Sequence, residues 1–488
     1  MSLLLPFISG LFFIISLSFS HYYILGWLAL IPLLFVLRKA KPAQGLFKGW
    51  FTGFIIISGT GYWLYSPLKS FSGLPVYGVV ILLLLLFILV SSFYGLWGFL
   101  FCWLQSKKGL NVLLLGVSWT GMEFLRFLII PDYPFAFLGY TQSCFPYLLQ
   151  LADIGGVFLV SFVVVLINGL LFKIIVERRT SQFISLLLIL LLVVGYGSWR
   201  INQINKITPE VVKIGFVHTD LSPVEKWREE NIIPNINNLL EMTKGISDTS
   251  IVFWPESSLT FNIIKDDGYR EFFYSKIKNM KPYLQVGSLS GIDGKSGIYN
   301  SSFLIDPNRG ILQRYNKIRL VPFGEYMPLA NIVEFLTGIT MLSEIHGDKV
   351  TVFNLPGYKY KVVTCSEILY PDTVRKKAQF TNFIVNPSNE AWYNAGNLQQ
   401  QMWVAAVFRA VENRRPVIRS TNYGLSGVIT AVGKPRLKIL PHSKGGYKST
   451  VVKGRGTTIY QLAGDLPAFL ILLLLIVWFL LKVYRDHF

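Results

Sequence analysis

Between residues 4 and 199 the chain passes through seven nearly uncharged apolar stretches, and an eighth, "LPAFLILLLLIVWFLL" (466–481), lies near its end. The seven are 4–20, 22–37, 49–66, 77–104, 110–130, 154–176 and 182–199. A bilayer is crossed by roughly 20 apolar residues in a helix. In lipid every backbone N–H and C=O must find its partner inside the protein, which leaves helices or a closed barrel. Runs this long and this continuous predict helices. The chain is 52% hydrophobic and only 15% charged, where an average soluble domain carries roughly 25%. The first run has no basic leader and no clear cleavage site, so an uncleaved span is expected rather than a signal peptide.

Charge tests the count of eight. With the N-terminus in the cytoplasm, the loops on that side hold Arg38, Lys39, Lys41 and Lys48, then Lys107 and Lys108, then Arg178 and Arg179, and finally Lys482 and Arg485. The short loops on the other side hold little besides Lys69. This asymmetry follows the positive-inside rule and puts residues 200–465 outside the cytoplasm. The net charge of +19 would ordinarily suggest nucleic acid; with this apolar content the expected partner is an anionic lipid surface. Within "SWTGMEFLRF", Glu123 and Arg126 share a helix face. They read either as an interfacial pair reaching for water or as a polar patch facing a headgroup or the outer domain.

After residue 200 the pattern changes. Strands are expected at "VVKIGFVHT", "SIVFWPE", 283–289, 298–305, 311–316, 350–354, 360–365, 383–386, 417–421 and 426–431, with helices at 225–244, 269–280 and 398–413. Such mixing predicts a layered α-β sandwich. "GIDGKSG" (291–297) has the wrong spacing for a phosphate loop and reads as a hairpin turn. The expected organisation is a seven-span domain at 1–200, an extracytoplasmic α-β domain at 201–462, and a last span with a short cytoplasmic tail at 463–488.

Residues at the carboxyl ends of strands tend to line a ligand crevice in such folds. "SIVFWPES" runs out at Glu256, "KYKVVTC" at Cys365, and "LQRYNKIRLVPFGEYMP" presents Lys317 and Glu325 between them. A carboxylate, an ammonium and a thiol brought together make a working set. The carboxylate takes the thiol proton, the thiolate attacks a carbonyl, and the ammonium steadies the oxyanion. Each residue also has a plain reading: a packed thiol, a helix-capping glutamate, a surface lysine. Three cysteines form no disulfide framework, and the five histidines show no zinc spacing, so neither metal nor cofactor is expected.

"FWPES", "RYNKIRLVPFGEYMP" and "VVTCSEILYP", in this order, resemble the Glu–Lys–Cys motifs of the nitrilase (carbon–nitrogen hydrolase) superfamily. With the apolar runs, "SWTGMEFLR", "YPFAFLGYTQS", "NPSNEAWY" and "ENRRPVIRSTNYGLSGVI", the chain resembles the membrane-embedded branch of that superfamily, the bacterial apolipoprotein N-acyltransferases, over nearly its full length. The resemblance implies a nitrilase-like α-β-β-α outer domain in the inner membrane of a bacterium, facing the periplasm. It implies transfer of an acyl chain from a phospholipid, commonly phosphatidylethanolamine, through a cysteine thioester to the α-amine of a diacylglyceryl-cysteine at an apolipoprotein's N-terminus. Matched by position, Cys365 is the nucleophile, Glu256 the general base and acid, and Lys317 the oxyanion partner. Glu325 and Glu367 match two further glutamates of the family, and Trp227 a tryptophan on a lipid-contacting loop. Ser366 stands where the family often has an aromatic residue, and Glu390 and Tyr393 where Asp and Phe are common.

Both substrates of such an enzyme are lipid-anchored, so its site must face the bilayer. "LANIVEFLTGITMLSEI" (329–345) reads as an acyl-chain guide or lid, or as an ordinary buried helix. Two rival functions stay open on sequence: a membrane-tethered amidase with water as acceptor, and a polytopic protein whose outer domain only binds. The filled triad positions, and spans poor in buried charge, speak against the second.

Overall fold

The computed structural model describes residues 3–105, 110–206, 208–292, 295–322, 324–326, 344–393 and 396–487. It divides into two compact units. One comprises Met1–Tyr65, Leu74–Ile207 and Thr458–Phe488; the other comprises Ser66–Gly73 and Thr208–Thr457.

The first unit is helical. Among the described residues, six stretches are long and apolar enough to cross a membrane: Ser20–Leu37, Val76–Leu104, Val112–Ile129, Ala152–Glu177, Thr180–Asn205 and Leu466–Asp486. Helices also form at the two other expected positions. Leu4–Ser18 is apolar but has 15 residues, and Pro42–Gly61 has 20 and includes Gln44, Lys48 and five glycines. Pro42 opens its helix at the first position, where its missing N–H costs nothing. Gly45, Gly49 and Gly53 recur every fourth residue along that helix. A Cβ on any of them would run into Gly98 or Tyr94 of the helix Val76–Leu104, the close approach that small residues permit between membrane helices.

Glu123 and Arg126 take neither of the two expected roles. Both are buried within this unit. Arg126 donates to the carbonyls of Tyr133 (3.3 Å) and Phe135 (2.7 Å), and Glu123 accepts from the Leu138 amide (2.8 Å). The irregular stretch 130–138 has backbone groups that no helix satisfies, and these two side chains satisfy them.

The second unit is an α-β-β-α sandwich. One sheet, among the described residues, contains β1 (Val211–His218), β2 (Ile251–Phe253), β3 (Tyr283–Ile292), β4 (Lys295–Asp306), β5 (Gly310–Asn316) and β12 (Gly445–Val452), in the order β12-β1-β2-β3-β4-β5. The other contains β6 (Val352–Leu355), β7 (Tyr358–Val362), β8 (Phe383–Asn389), β9 (Val417–Asn422), β10 (Ser426–Ile429) and β11 (Pro435–Ile439), in the order β11-β10-β9-β8-β7-β6. β1, β2 and β3 run parallel, as do β7, β8 and β9.

Side chains alternate by strand period. Ile251 and Phe253 of β2 enter the core between the sheets with Phe216, Tyr360, Val362 and Phe383. Val252 and Trp254 point the other way, into a core with Ile236 and Leu239 of helix Ile232–Lys244 and Phe273 of helix Asp267–Ile277. With both faces covered, β2 has no polar face, hence its unbroken apolar reading.

Three details differ from the sequence reading. The expected helix 225–244 is broken: Pro223–Lys226 is one short turn, and the main helix is Ile232–Lys244. Pro234 explains the break, because its ring tolerates the first turn of a helix but clashes in the interior. β7 ends at Val362, and Cys365 begins a 3₁₀ turn instead of ending a strand. β11 and β12 were not expected. The hairpin was: Ile292 pairs with Lys295 across the β3–β4 connection.

Candidate active site

Glu256 follows β2 by three residues, Cys365 follows β7 by three, Asn389 ends β8, and Lys317 follows β5 directly. Parallel strands carry the first three to one end of the sandwich. Lys317 is held on its backbone there, its N–H donating to Asn300 O (2.8 Å) and its C=O accepting from Gly347 N (2.7 Å).

The Lys317 ammonium is fully buried and lies 3.3 Å from Glu256 Oε1 and 2.5 Å from Glu325 Oε1. Burial alone would lower its pKa. The carboxylates of Glu256 and Glu325 more than offset this and hold it well above the ordinary lysine value. Among the described residues these two carboxylates are its hydrogen-bond partners, and an ammonium has three donors. Glu256 is aimed by Asn300 Nδ2, which donates to Oε1 (2.9 Å), and by the Asn389 amide, which donates to Oε2 (2.8 Å). Glu325 is fixed by the Val321 amide on Oε2 (2.9 Å). Burial raises the Glu325 carboxyl, with Lys317 pulling it back.

Cys365 is buried and sits in the left-handed region, at φ +50°. That conformation costs an L-residue about 1–2 kcal/mol, so its surroundings must impose it. Glu367 supplies much of the restraint. It is fully buried, and its Oε2 accepts from the Thr364 amide (2.6 Å). Its Oε1 accepts from the amides of Ile318 (2.7 Å) and Arg319 (3.0 Å), and the Tyr315 hydroxyl donates to it at 2.8 Å. One carboxylate thus ties the cysteine turn to the lysine-bearing segment. Burial pushes the Cys365 thiol up, as does the Glu256 carboxylate, while Lys317 pulls it down.

The structure brings Glu256, Lys317, Glu325 and Cys365 together, with Glu367 beneath them as a fastener. Ser366 is half-buried, and its Oγ has no hydrogen-bond partner among the described residues. Trp227 is exposed; its neighbour Lys226 is the buried one. Lys226 Nζ donates to the Glu256 carbonyl (3.1 Å), and burial lowers its pKa to about 8. Sequence reasoning missed Lys226, Asn300, Asn389, Ser388 and Glu344. Glu344, whose amide donates to Glu325 O (2.8 Å), is raised to about 8 by burial and by the neighbouring Glu325 carboxylate. Of the apolar segment 329–345, residues 329–343 lie outside the described residues.

Two family models match the chain: the apolipoprotein N-acyltransferase N-terminal domain over residues 9–170, and carbon–nitrogen hydrolase over residues 219–452. The apolipoprotein N-acyltransferase of Geobacter metallireducens is 28% identical over 467 residues, covering 91% of this chain and 88% of that protein. The chain belongs to the apolipoprotein N-acyltransferase family. The family member from Borreliella burgdorferi is likewise 28% identical, over 96% of this chain and 92% of its own length. Among solved structures, an amidase from Nesterenkonia sp. matches 50% of this chain and 92% of its own, at 15% identity and a TM-score of 0.40. Membership in the N-acyltransferase family, together with the apolar helices of the first unit, makes this a membrane protein.

Proposed function

We propose that this protein takes an acyl chain from a membrane phospholipid, holds it as a thioester on Cys365, and passes it to the α-amine of the N-terminal diacylglyceryl-cysteine of an apolipoprotein. The observation that carries the reading is the buried convergence of Cys365, Lys317 and Glu256 in a chain of this family. Glu256 takes the thiol proton. The thiolate adds to the ester carbonyl, and the donor of Lys317 left over from its two carboxylates meets the oxyanion. Collapse expels the glycerol alkoxide of the lysophospholipid, which takes the proton back from Glu256. The acceptor amine then attacks the thioester and gives its proton to Glu256, and the departing thiolate recovers it. Glu325 holds Lys317, and Glu367 holds the cysteine turn. Splitting the transfer into two acyl shifts predicts ping-pong kinetics.

The donor carries an ethanolamine headgroup, Trp227 and Ser366 contact lipid, and the protein lies in the cytoplasmic membrane. Eight crossings put the α-β domain, residues 201–462, on the outer side, with 1–200 and 463–488 forming the membrane part; the basic residues of the short loops support this orientation. A phospholipid labelled in its acyl chain should leave a hydroxylamine-labile label on the protein, lost in Cys365→Ala. Absence of label from the intact protein would overturn the reading. A membrane-tethered amidase or a binding module would take none.

A further inference from the structure

Behind Cys365 lies a second polar network that the reaction above does not use. Ser388 Oγ is 3.4 Å from Cys365 Sγ and 2.9 Å from Glu390 Oε1. Glu390 is fully buried and ion-paired with Arg419 on β9. Arg419 is itself anchored, its Nε donating to Leu425 O (3.0 Å) and its Nη1 to Asn386 Oδ1 (2.5 Å). Asn386 completes the ring by donating to the carbonyls of Val363 (2.7 Å) and Cys365 (3.1 Å). Gly424 leaves the space Glu390 needs, since a Cβ there would fall 2.5 Å from its carboxyl group. Arg419 therefore controls both ends of the nucleophile, its carbonyl through Asn386 and its sulfur through Glu390 and Ser388.

Ser388 has one proton and two acceptors. A hydroxyl donates one hydrogen bond, accepts others, and turns at little cost. While Cys365 is a thiol, the serine proton lies on the Glu390 carboxylate and the S–H can donate to Oγ. Once the thiol proton has gone to Glu256, the sulfur is an anion with a donor 3.4 Å away.

We propose that Ser388 is a catalytic hydrogen-bond switch, donating to Glu390 in the resting enzyme and turning its proton onto Sγ when Cys365 becomes a thiolate. The serine keeps its proton throughout, so the step is a rotation and Glu256 remains the proton acceptor. The inference rests on Cys365 being the nucleophile. A hydrogen bond to a charged group that exists only in the activated state lowers the barrier to reaching it.

The test uses the full-length protein with Cys102 and Cys144 replaced by alanine, so that only Cys365 reacts with iodoacetamide. In Ser388→Ala the pH midpoint of alkylation should rise by about one to two pH units, and acyl-enzyme formation should slow about tenfold to hundredfold. Ser388→Thr, which keeps Oγ, should restore both. The charged groups bearing on Sγ (Glu256, Lys317, Glu325 and Lys226) and the phenol of Tyr393 are unaltered; Glu390, still paired with Arg419, loses its Ser388 hydrogen bond in the alanine variant and regains it in Ser388→Thr. A wild-type midpoint in Ser388→Ala overturns the proposal, whatever happens to stability. Should Ser388→Ala fail to fold, the wild-type S–H stretch, isolated by difference from Cys365→Ala, decides. A stretch lowered by donation to Oγ supports the switch, and a free-thiol stretch overturns it. Failure of the nucleophile reading is separate, because it appears as thioester label persisting in Cys365→Ala.

Discussion

Lys317→Met is the most informative single change to this site, because Lys317 is a buried cation between two carboxylates. The ammonium is 3.3 Å from Glu256 and 2.5 Å from Glu325. Removing one partner of a buried pair costs about 3–5 kcal/mol, because the other charge is left uncompensated. The carboxyls can relieve that cost by taking protons. Glu325 is already raised by burial and Glu344 stands at about 8, and without the cation the pull that opposes their burial is gone. A carboxyl whose folded pKa lies above its unfolded value binds more protons in the folded state between those two values. Stability is then fully present below the unfolded pKa, near 4.3, and declines as pH rises through the folded one. The gap between wild type and Lys317→Met should therefore be small near pH 5 and approach about 3–5 kcal/mol by pH 8–9. Wild-type Lys317 adds no slope of its own here, since its raised pKa keeps it charged throughout. The assay is thermal unfolding of both proteins in detergent from pH 5 to 9. Activity should not follow stability: in the proposed reaction Lys317 is the oxyanion donor, whose loss costs about 10²–10³-fold, and acidification should not restore it. A difference in melting temperature that is constant with pH, or that widens on acidification, refutes the reasoning.

Glu367→Gln keeps the shape but turns one acceptor oxygen into a donor, facing the amide of Thr364 or those of Ile318 and Arg319; about 1.5–3 kcal/mol of stability should go, and acyl-enzyme labelling should fall even where the protein is folded. Lys361 is fully buried with Nζ on the carbonyls of Thr373, Val374 and Lys376, and burial lowers its pKa to about 7. The folded state then binds fewer protons between about pH 7 and the unfolded value near 10.4, so this group makes stability rise with pH across that window; Lys361→Met should remove that rise from the unfolding profile. In the helical unit, Arg126→Met strips the Tyr133 and Phe135 carbonyls of a donor and should cost about 1–3 kcal/mol for each carbonyl left unpaired, measured as earlier heat-induced aggregation in detergent.

The fold was legible wherever burial imposes a pattern. Helix 398–413 and the apolar core of β2 were readable because their neighbours enclose them on all sides. β12 was not. "GGYKSTVV" opens on two glycines, is half-exposed along most of its length, and among the described strands pairs with β1 alone, at the sheet edge. An edge strand is held by its neighbour's backbone, and backbone pairing leaves no trace in side-chain hydropathy. β11 is likewise an edge strand, exposed or half-exposed at every position. Glu123 and Arg126 were visible as charges in an apolar run, but their role was not, because the carbonyls and amide they satisfy belong to an irregular stretch.

The site divides along the same line. Glu256, Lys317, Glu325, Cys365 and Glu367 each stand in a contiguous motif, so sequence alone brings them into consideration. Lys226, Asn300, the Ser388–Asn389 pair and Arg419 come from four further segments and act through contacts that exist only after folding. Asn300 on β4 aims a carboxylate 44 residues away, and Asn389 aims the same carboxylate from 133 residues away. What separates the two groups is physical. The first group bears the charges and the sulfur that the proposed chemistry requires. The second holds those groups in a dry place, where each would be costly alone. A thiol pushed up by burial and a lysine pinned between two carboxylates make a poor nucleophile at rest. In the proposed mechanism the site becomes reactive once a carbonyl occupies the place that the lysine's remaining donor and the serine hydroxyl face. That restraint suits a thioester that must outlast the exchange of one lipid substrate for another beside water.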